Sequence, residues 1–422
     1  MNRYTLGLFF YFLLNNFLWS QPQNYTLSDT TLANQLVKSG QTEYSKSEFD
    51  KAIEYTLKAL DIQLQVLGRS HLDIAQTYSD LGVFYSQKGQ YKKAIEYCEK
   101  ALAIRLKILG TVHLNVASCY NNLGSFYNSS GDFDRAIAYH NKALAIRSQL
   151  LGNVHQNVAA SFNNLGNCYI SKEDYDKAIE YHQKSLEINL LKFGEEHQRT
   201  LNNYNGLGIS FLGKKQFSQS FPFYEKTLAI RIKLFGIHSL EVAGSYNNLG
   251  EYYYQKADYA QAVVYHQKSL DVRLKILGVR HPDVSLSYRN IASTLTKQQA
   301  YEEAKIYYQK ALFALVYEEN KDLSKVNSLV NLINTLHYKA TFEWTWYLDT
   351  QDITRLFQSV NTFREAINTL NYQNKVLTTE GSTELKKQSF VIYEGAIKTN
   401  FLLLFGNAVA RNEKPKTQGI RR

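Results

Sequence analysis

Apolar and aromatic side chains recur along this chain at offsets of three and four residues, the spacing that gathers them on one face of a helix. The pair Leu81-Gly82 returns as Leu123-Gly124, Leu165-Gly166, Leu207-Gly208 and Leu249-Gly250, each 42 positions on, and as Ile291-Ala292 in the sixth copy. An aromatic stands three residues before each pair: Tyr78, Tyr120, Phe162, Tyr204, Tyr246 and Tyr288. Another follows at Tyr85, Tyr127, Tyr169, Phe211 and Tyr253, with Leu295 in the last copy. These positions predict one amphipathic helix per 42-residue unit.

A second helix keeps the same register. Its aromatics are Phe49, Tyr91, Phe133, Tyr175, Phe217, Tyr259 and Tyr301, and three residues on come Ala52, Ala94, Ala136, Ala178, Ser220, Ala262 and Ala304. Small residues there let two helix backbones approach closely. Gly89 and Gly131 predict a left-handed stop to the first helix. A second glycine series, Gly68, Gly110, Gly152, Gly194, Gly236 and Gly278, predicts the end of the second. Each unit is therefore helix, turn, helix, glycine and short loop. One unit cannot bury its apolar face alone, so stacked copies are expected to share a continuous core in an all-α superhelix with a concave side.

The pattern Y-x-x-L-G-x-x-Y followed by Y-x-x-A resembles the tetratricopeptide (TPR) motif. The 42-residue period, with L-G-x-x-H in the loop, is similar to the long variant of kinesin light chains and of bacterial signalling proteins. The resemblance spans residues 31–313 and implies a right-handed superhelix of about seven helix–turn–helix repeats, the first with a degenerate leading helix that keeps Gly40. After Leu312 the period breaks, and Trp344, Trp346, Phe357 and Phe363 leave the repeat grid. Residues 314–410 are expected to form an irregular helical segment and 411–422 a basic tail. The run from Phe363 through Thr379-Glu380-Gly381-Ser382 to Tyr393 is similar to the segment that joins TPR arrays to a CHAT domain, a caspase-like protease. The last cysteine is Cys168, inside a repeat, so that protease is not expected in this chain.

Composition adds less. With 4 prolines in 422 residues, long helices are unobstructed. The net charge of +10 favours acidic partners, but the cations are spread along the chain and do not indicate nucleic acid. At the start, Arg3, the apolar run Leu6 to Leu14, Phe17 to Trp19 and then Ser20 have the order of a secretory signal peptide over residues 1–20. Export, periplasmic or secreted, is the expected localisation, with a cytoplasmic protein as the alternative. No stable membrane span is expected after cleavage, since the run falls short of about 20 apolar residues.

The candidate site is a ladder of amides just before the Leu-Gly pairs: Asn121-Asn122, Asn163-Asn164, Asn205 (followed by Gly206), Asn247-Asn248 and Arg289-Asn290, with Ser79-Asp80 opening the series. Asparagine is a mediocre helix former, so helix propensity does not explain its recurrence. A primary amide donates and accepts, which suits an extended peptide backbone, and in TPR relatives this helix face holds peptides. Asn121, Asn163, Asn205, Asn247 and Arg289 are expected to form an exposed peptide-binding row. The second amides Asn122, Asn164, Asn248 and Asn290 are expected to divide between that role and bracing adjacent repeats.

Two histidine series, His71, His113, His155, His197, His281 and His140, His182, His266, suggest metal only until geometry is considered. Equivalent positions in stacked repeats lie about 15–20 Å apart, against zinc–nitrogen bonds of about 2.0–2.1 Å. Loop capping and inter-repeat packing are expected instead, and no metal. Cys98, Cys119 and Cys168 carry no nucleophile signature, and no phosphate-cradling glycine motif stands between a strand and a helix, so no cofactor is expected. Arg105, Arg147, Arg231 and Arg273, near the ends of second helices, are expected to complement helix dipoles. The resulting expectation is a non-catalytic scaffold with a protein or peptide partner and no nucleic acid. The alternative is the regulatory part of a CHAT-type protease system.

Overall fold

The computed structural model describes residues 27–315, 322–323, 326, 328–377, 392 and 395–396, which include sixteen helices and no strand. The expected signal peptide, the basic tail and residues 378–391 and 393 of the segment similar to the CHAT-linked region lie outside the described residues. No helix among the described residues is long and apolar enough to cross a membrane. The chain divides into two compact units, 1–111 and 112–422.

The first unit holds two helix pairs, α1 (Leu27–Ser45) with α2 (Phe49–Leu67), and α3 (Leu72–Gln87) with α4 (Tyr91–Leu109). The second continues with α5 (Leu114–Ser129) and α6 (Phe133–Leu151), α7 (Gln156–Ser171) and α8 (Tyr175–Phe193), α9 (Gln198–Gly213) and α10 (Phe217–Phe235), α11 (Leu240–Gln255) and α12 (Tyr259–Leu277), and α13 (Pro282–Lys297) and α14 (Tyr301–Phe313). From α3 to α13 every first helix has 16 residues, and every second helix from α2 to α12 has 19. Each second helix begins on the aromatic of the sequence pattern.

The punctuation has direct physical causes. His71, His113, His155, His197 and His281 are N-caps, whose Nδ1 atoms accept the backbone N–H two residues on at 3.0–3.2 Å. Where the histidine slips to position 238, Ser239 takes over and its Oγ accepts from Val242 at 3.3 Å. Second helices end on glycines such as Gly194, with φ 76° and ψ −172°, a backbone region essentially closed to other residues. First helices end one residue past the cap in left-handed backbone at one repeat position. Gly89 and Gly131 fill it twice (φ 73° and 82°), but Ser47, Glu173, Lys215, Ala257 and Gln299 also adopt φ of 59–63° there.

Packing inside a repeat follows from small against large. Leu123, Leu165, Leu207 and Leu249 are buried, as are the alanines Ala136, Ala178 and Ala262. The glycine of each Leu-Gly pair lies against a ring from the second helix. A Cβ on Gly124, Gly166 or Gly208 would stand 2.7 Å from the ring of His140, His182 or Tyr224, closer than packed carbons approach. Cys98, Cys168 and Cys119 are buried, and burial pushes the Cys168 thiol up to about 12. A trio of rings closes each pair of helices from α3–α4 to α11–α12. Tyr127 stacks on Tyr139 at 5.4 Å with Tyr120 tilted beside it, and Lys142 lies over the rings of Tyr120 and Tyr139 at 5.4 and 5.2 Å.

Past α14 come two longer antiparallel helices, α15 (Leu329–Thr350, 22 residues) and α16 (Ile353–Leu377, 25 residues). They break the period yet continue the core of the second unit. Phe342 and Trp346 pack with Tyr308, Leu295 and Val284, and Trp346 stacks on Tyr301 at 5.5 Å. Phe363 is buried, Trp344 half-buried and Phe357 exposed.

Candidate binding face

The amide ladder lies on α5, α7, α9, α11 and α13, one and two residues before the buried leucine of each helix, or before Ile291 in α13. All nine candidate residues are half-buried. The expectation of an open, solvated row is therefore corrected, and the reason is hydrogen bonding between repeats. Asn164 Nδ2 donates to Asn121 Oδ1 at 2.9 Å, Asn248 Nδ2 to Asn205 Oδ1 at 2.5 Å and Asn290 Nδ2 to Asn247 Oδ1 at 2.8 Å. The second amide of one repeat thus holds the first amide of the repeat before it. Gly206 breaks this rule by having no side chain. There Asn203, one turn earlier on the same helix, donates to Asn163 Oδ1 at 3.1 Å instead. In the first unit Asp80 accepts from Gln41 of the preceding repeat at 3.1 Å and from Gln76 at 2.8 Å. Burial raises the Asp80 carboxyl pKa.

The ladder fixes the orientation of the first amides. In Asn121, Asn163, Asn205 and Asn247 the Oδ1 is occupied, while the Nδ2 hydrogens take no part in these bonds. The first amides can therefore donate more readily than they can accept. Arg289 ends the row differently. Its guanidinium lies over the Tyr338 ring at 4.9 Å, tucked against α15, and burial lowers its pKa.

A second polar ladder runs beside the first, and sequence reasoning assigned its members another role. Arg147, Arg231 and Arg273 do not merely face the ends of their own helices. Arg147 Nη1 donates to Ser161 Oγ at 2.8 Å, to the Asn157 carbonyl at 3.2 Å and to Asn121 Oδ1 at 3.4 Å. Arg231 reaches Ser245 Oγ at 2.9 Å and the Glu241 carbonyl at 3.2 Å, and Arg273 reaches Ser287 Oγ at 2.7 Å and the Asp283 carbonyl at 3.2 Å. Asn189 takes the same position and donates to Asn203 Oδ1 at 2.7 Å. Gln63 accepts from Thr77 Oγ1 at 2.7 Å. Each latch joins a second helix to the first helix of the next repeat, 14 residues on. That constant spacing was the available signal. Arg105 donates to Gln76 within its own repeat at 2.8 Å. Burial lowers the pKa of Arg147, Arg231 and Arg273.

The remaining candidates serve packing. Among the described residues no group of three His, Cys, Asp or Glu could hold a metal ion. His140, His182 and His266 are almost wholly buried, and burial drives each imidazole pKa down to about 4.

The sequence matches the family model described as Tetratricopeptide repeat over residues 31–107, 73–149, 115–190, 157–233 and 241–312. The chain belongs to the tetratricopeptide repeat family. No curated protein matches it by sequence. Among solved structures, this TPR chain is similar to the apo form of RapI, at 18% identity and TM-score 0.51, with 67% of this chain and 97% of that one covered. It is also similar to a Rap protein complexed with competence and sporulation factor, at 13% identity and TM-score 0.50, with coverage of 88% and 98%. A third likeness is to a putative kinesin light chain of Podosopora anserina with nearly identical TPR-like repeats, at 20% identity and TM-score 0.44, with coverage of 50% and 99%. The Rap likenesses are likenesses of fold. The succession of helix pairs is a TPR solenoid, a fold that serves protein–protein interaction and is generally non-catalytic.

Proposed function

We propose that this TPR protein is a non-catalytic scaffold that holds a segment of a partner polypeptide against the first helices α5, α7, α9, α11 and α13. The observation that carries this reading is the oriented amide ladder. Asn121, Asn163, Asn205 and Asn247 present Nδ2 donors once per repeat, held in place by the bonds their own Oδ1 atoms accept. Donors fixed at regular intervals suit the carbonyls of an extended chain, and the bracing has already met part of the ordering cost of binding. A ligand complex is known on this fold in the Rap protein solved with competence and sporulation factor. The residues proposed here are this chain's own. Export through residues 1–20 forms part of the same proposal, and the mass of the mature N-terminus tests it.

The amides brace as well as bind, so alanine would confound the two roles. Asn163→Asp with Asn205→Asp keeps the accepting oxygens and removes the donors. A partner identified by pulldown and mass spectrometry should bind the double variant about 10-fold to 100-fold more weakly, given about 0.5–1.5 kcal/mol per lost bond. The thermal melt should stay near that of the parent. Unchanged affinity would place the site elsewhere. A collapsed melting temperature would make the ladder purely a brace.

A further inference from the structure

Between the last TPR repeat and the helix pair that follows lies a cavity of about 270 Å³, with walls from α14, α15 and α16. Its floor is apolar. Trp346 is held between the Tyr301 ring at 5.5 Å and the Arg355 guanidinium at 3.6 Å, and Phe342 packs beside it at 5.5 Å. Its wall holds a buried charge. Glu343, 4% exposed, pairs with Lys339 and accepts from Thr362 Oγ1 at 2.6 Å, and Lys339 also donates to Thr362 at 3.1 Å. Both carboxylate oxygens are therefore occupied.

The other polar groups of the lining have donors to offer. Gln358 Oε1 accepts from Arg355 at 3.1 Å and Asn361 Oδ1 accepts from Arg364 at 3.2 Å, so what each amide retains is its NH₂ group. Lys305 reaches a carboxylate only at 3.9 Å, in Glu302. Lys339 is engaged by Glu343 and Thr362, so the cavity presents the Lys305 ammonium and the side-chain amides of Gln309, Gln358 and Asn361 against one carboxylate that is already satisfied. We propose that it is a binding site for a small organic monocarboxylate, with the carboxylate at Lys305 and the Gln358 and Asn361 amides and an apolar or aromatic tail on Phe342 and Trp346. Charge-assisted donors favour an acceptor-only anionic group, and a metabolite-sized molecule fits a cavity of this volume. The site is distinct from the amide ladder and does not depend on it.

Phenylacetate is the probe. Titrated into the full chain, it should change tryptophan fluorescence saturably and give matching calorimetric heats, with Kd on the order of 0.1–1 mM for a ligand of this size. Phenylacetamide, with the same ring and no charge, should bind at least about tenfold more weakly. Lys305→Gln, at a half-exposed position, should weaken phenylacetate to a similar degree while the circular dichroism melt is preserved. Non-saturable titration of the parent chain overturns the proposal, as does equal binding of phenylacetamide. Undiminished binding by Lys305→Gln does so too. Should that variant fail to fold, the comparison of the two probes on the parent chain decides alone.

Discussion

His140, His182 and His266 occupy one repeat position under the Leu-Gly glycines, with 1%, 0% and 2% of their surface exposed. Both ring nitrogens of His182, and Nδ1 of His140 and His266, find no hydrogen-bond partner. The cation facing His140 is Arg147 and that facing His266 is Arg273, each disfavouring an imidazolium further. Each folded pKa is about 4, below the ordinary imidazole value of about 6.5. The folded state therefore binds fewer protons than the unfolded state between these values. The stability is whole above pH 6.5 and is lost as pH falls towards 4. At pH 5 the cost is about 2 kcal/mol per imidazole, or about 6 kcal/mol for three. Urea unfolding followed by circular dichroism at pH 7.5 and pH 5 should show this loss. His266→Phe should recover about 2 kcal/mol of the pH-dependent part, since phenylalanine is a neutral ring on the same glycine. Proton titration of the remaining imidazoles by NMR supplies the individual pKa values. If His266→Phe keeps the parent's full pH dependence, or if the imidazole in the folded chain titrates near 6.5, the reasoning fails.

Three further outcomes follow from the repeat geometry. Ala257→Gly should raise stability by about 0.5–1 kcal/mol in chemical denaturation, because Ala257 has φ of 63° where Gly89 and Gly131 serve in other repeats. Ser245→Ala should cost about 1–3 kcal/mol, since it takes a partner from the buried Arg231, and Arg231→Met in the same background should return part of that loss in a double-mutant cycle. Ala178→Leu should lower stability by about 1–3 kcal/mol by overpacking the junction of α7 with α8, and an unchanged unfolding midpoint would contradict the helix placement.

The period, the helix count per unit, the glycine stops and the histidine caps were legible in the sequence because each depends on residues close together along the chain. Ser239 capping α11 after the histidine slipped by one position shows the same local logic. The roles of the two polar ladders were not legible in this way. Asn164 meets Asn121 across 43 positions, and neither residue's type says whether its amide faces a neighbour or a ligand. Arg147 near a helix end suits a dipole until Ser161 of the following helix is seen beside it.

The sequence by itself determined that this is a helical repeat protein and where the second helix of each repeat starts and stops, because local hydrophobic period and capping chemistry need no distant partner. Only the tertiary structure decided that the asparagine row is half-buried and braced, that the arginines are latches between repeats, and that Trp346 joins the repeat core from outside the period. Those outcomes depend on which side chains meet when the helices stack, and stacking brings together residues tens of positions apart whose individual chemistry is compatible with several partners.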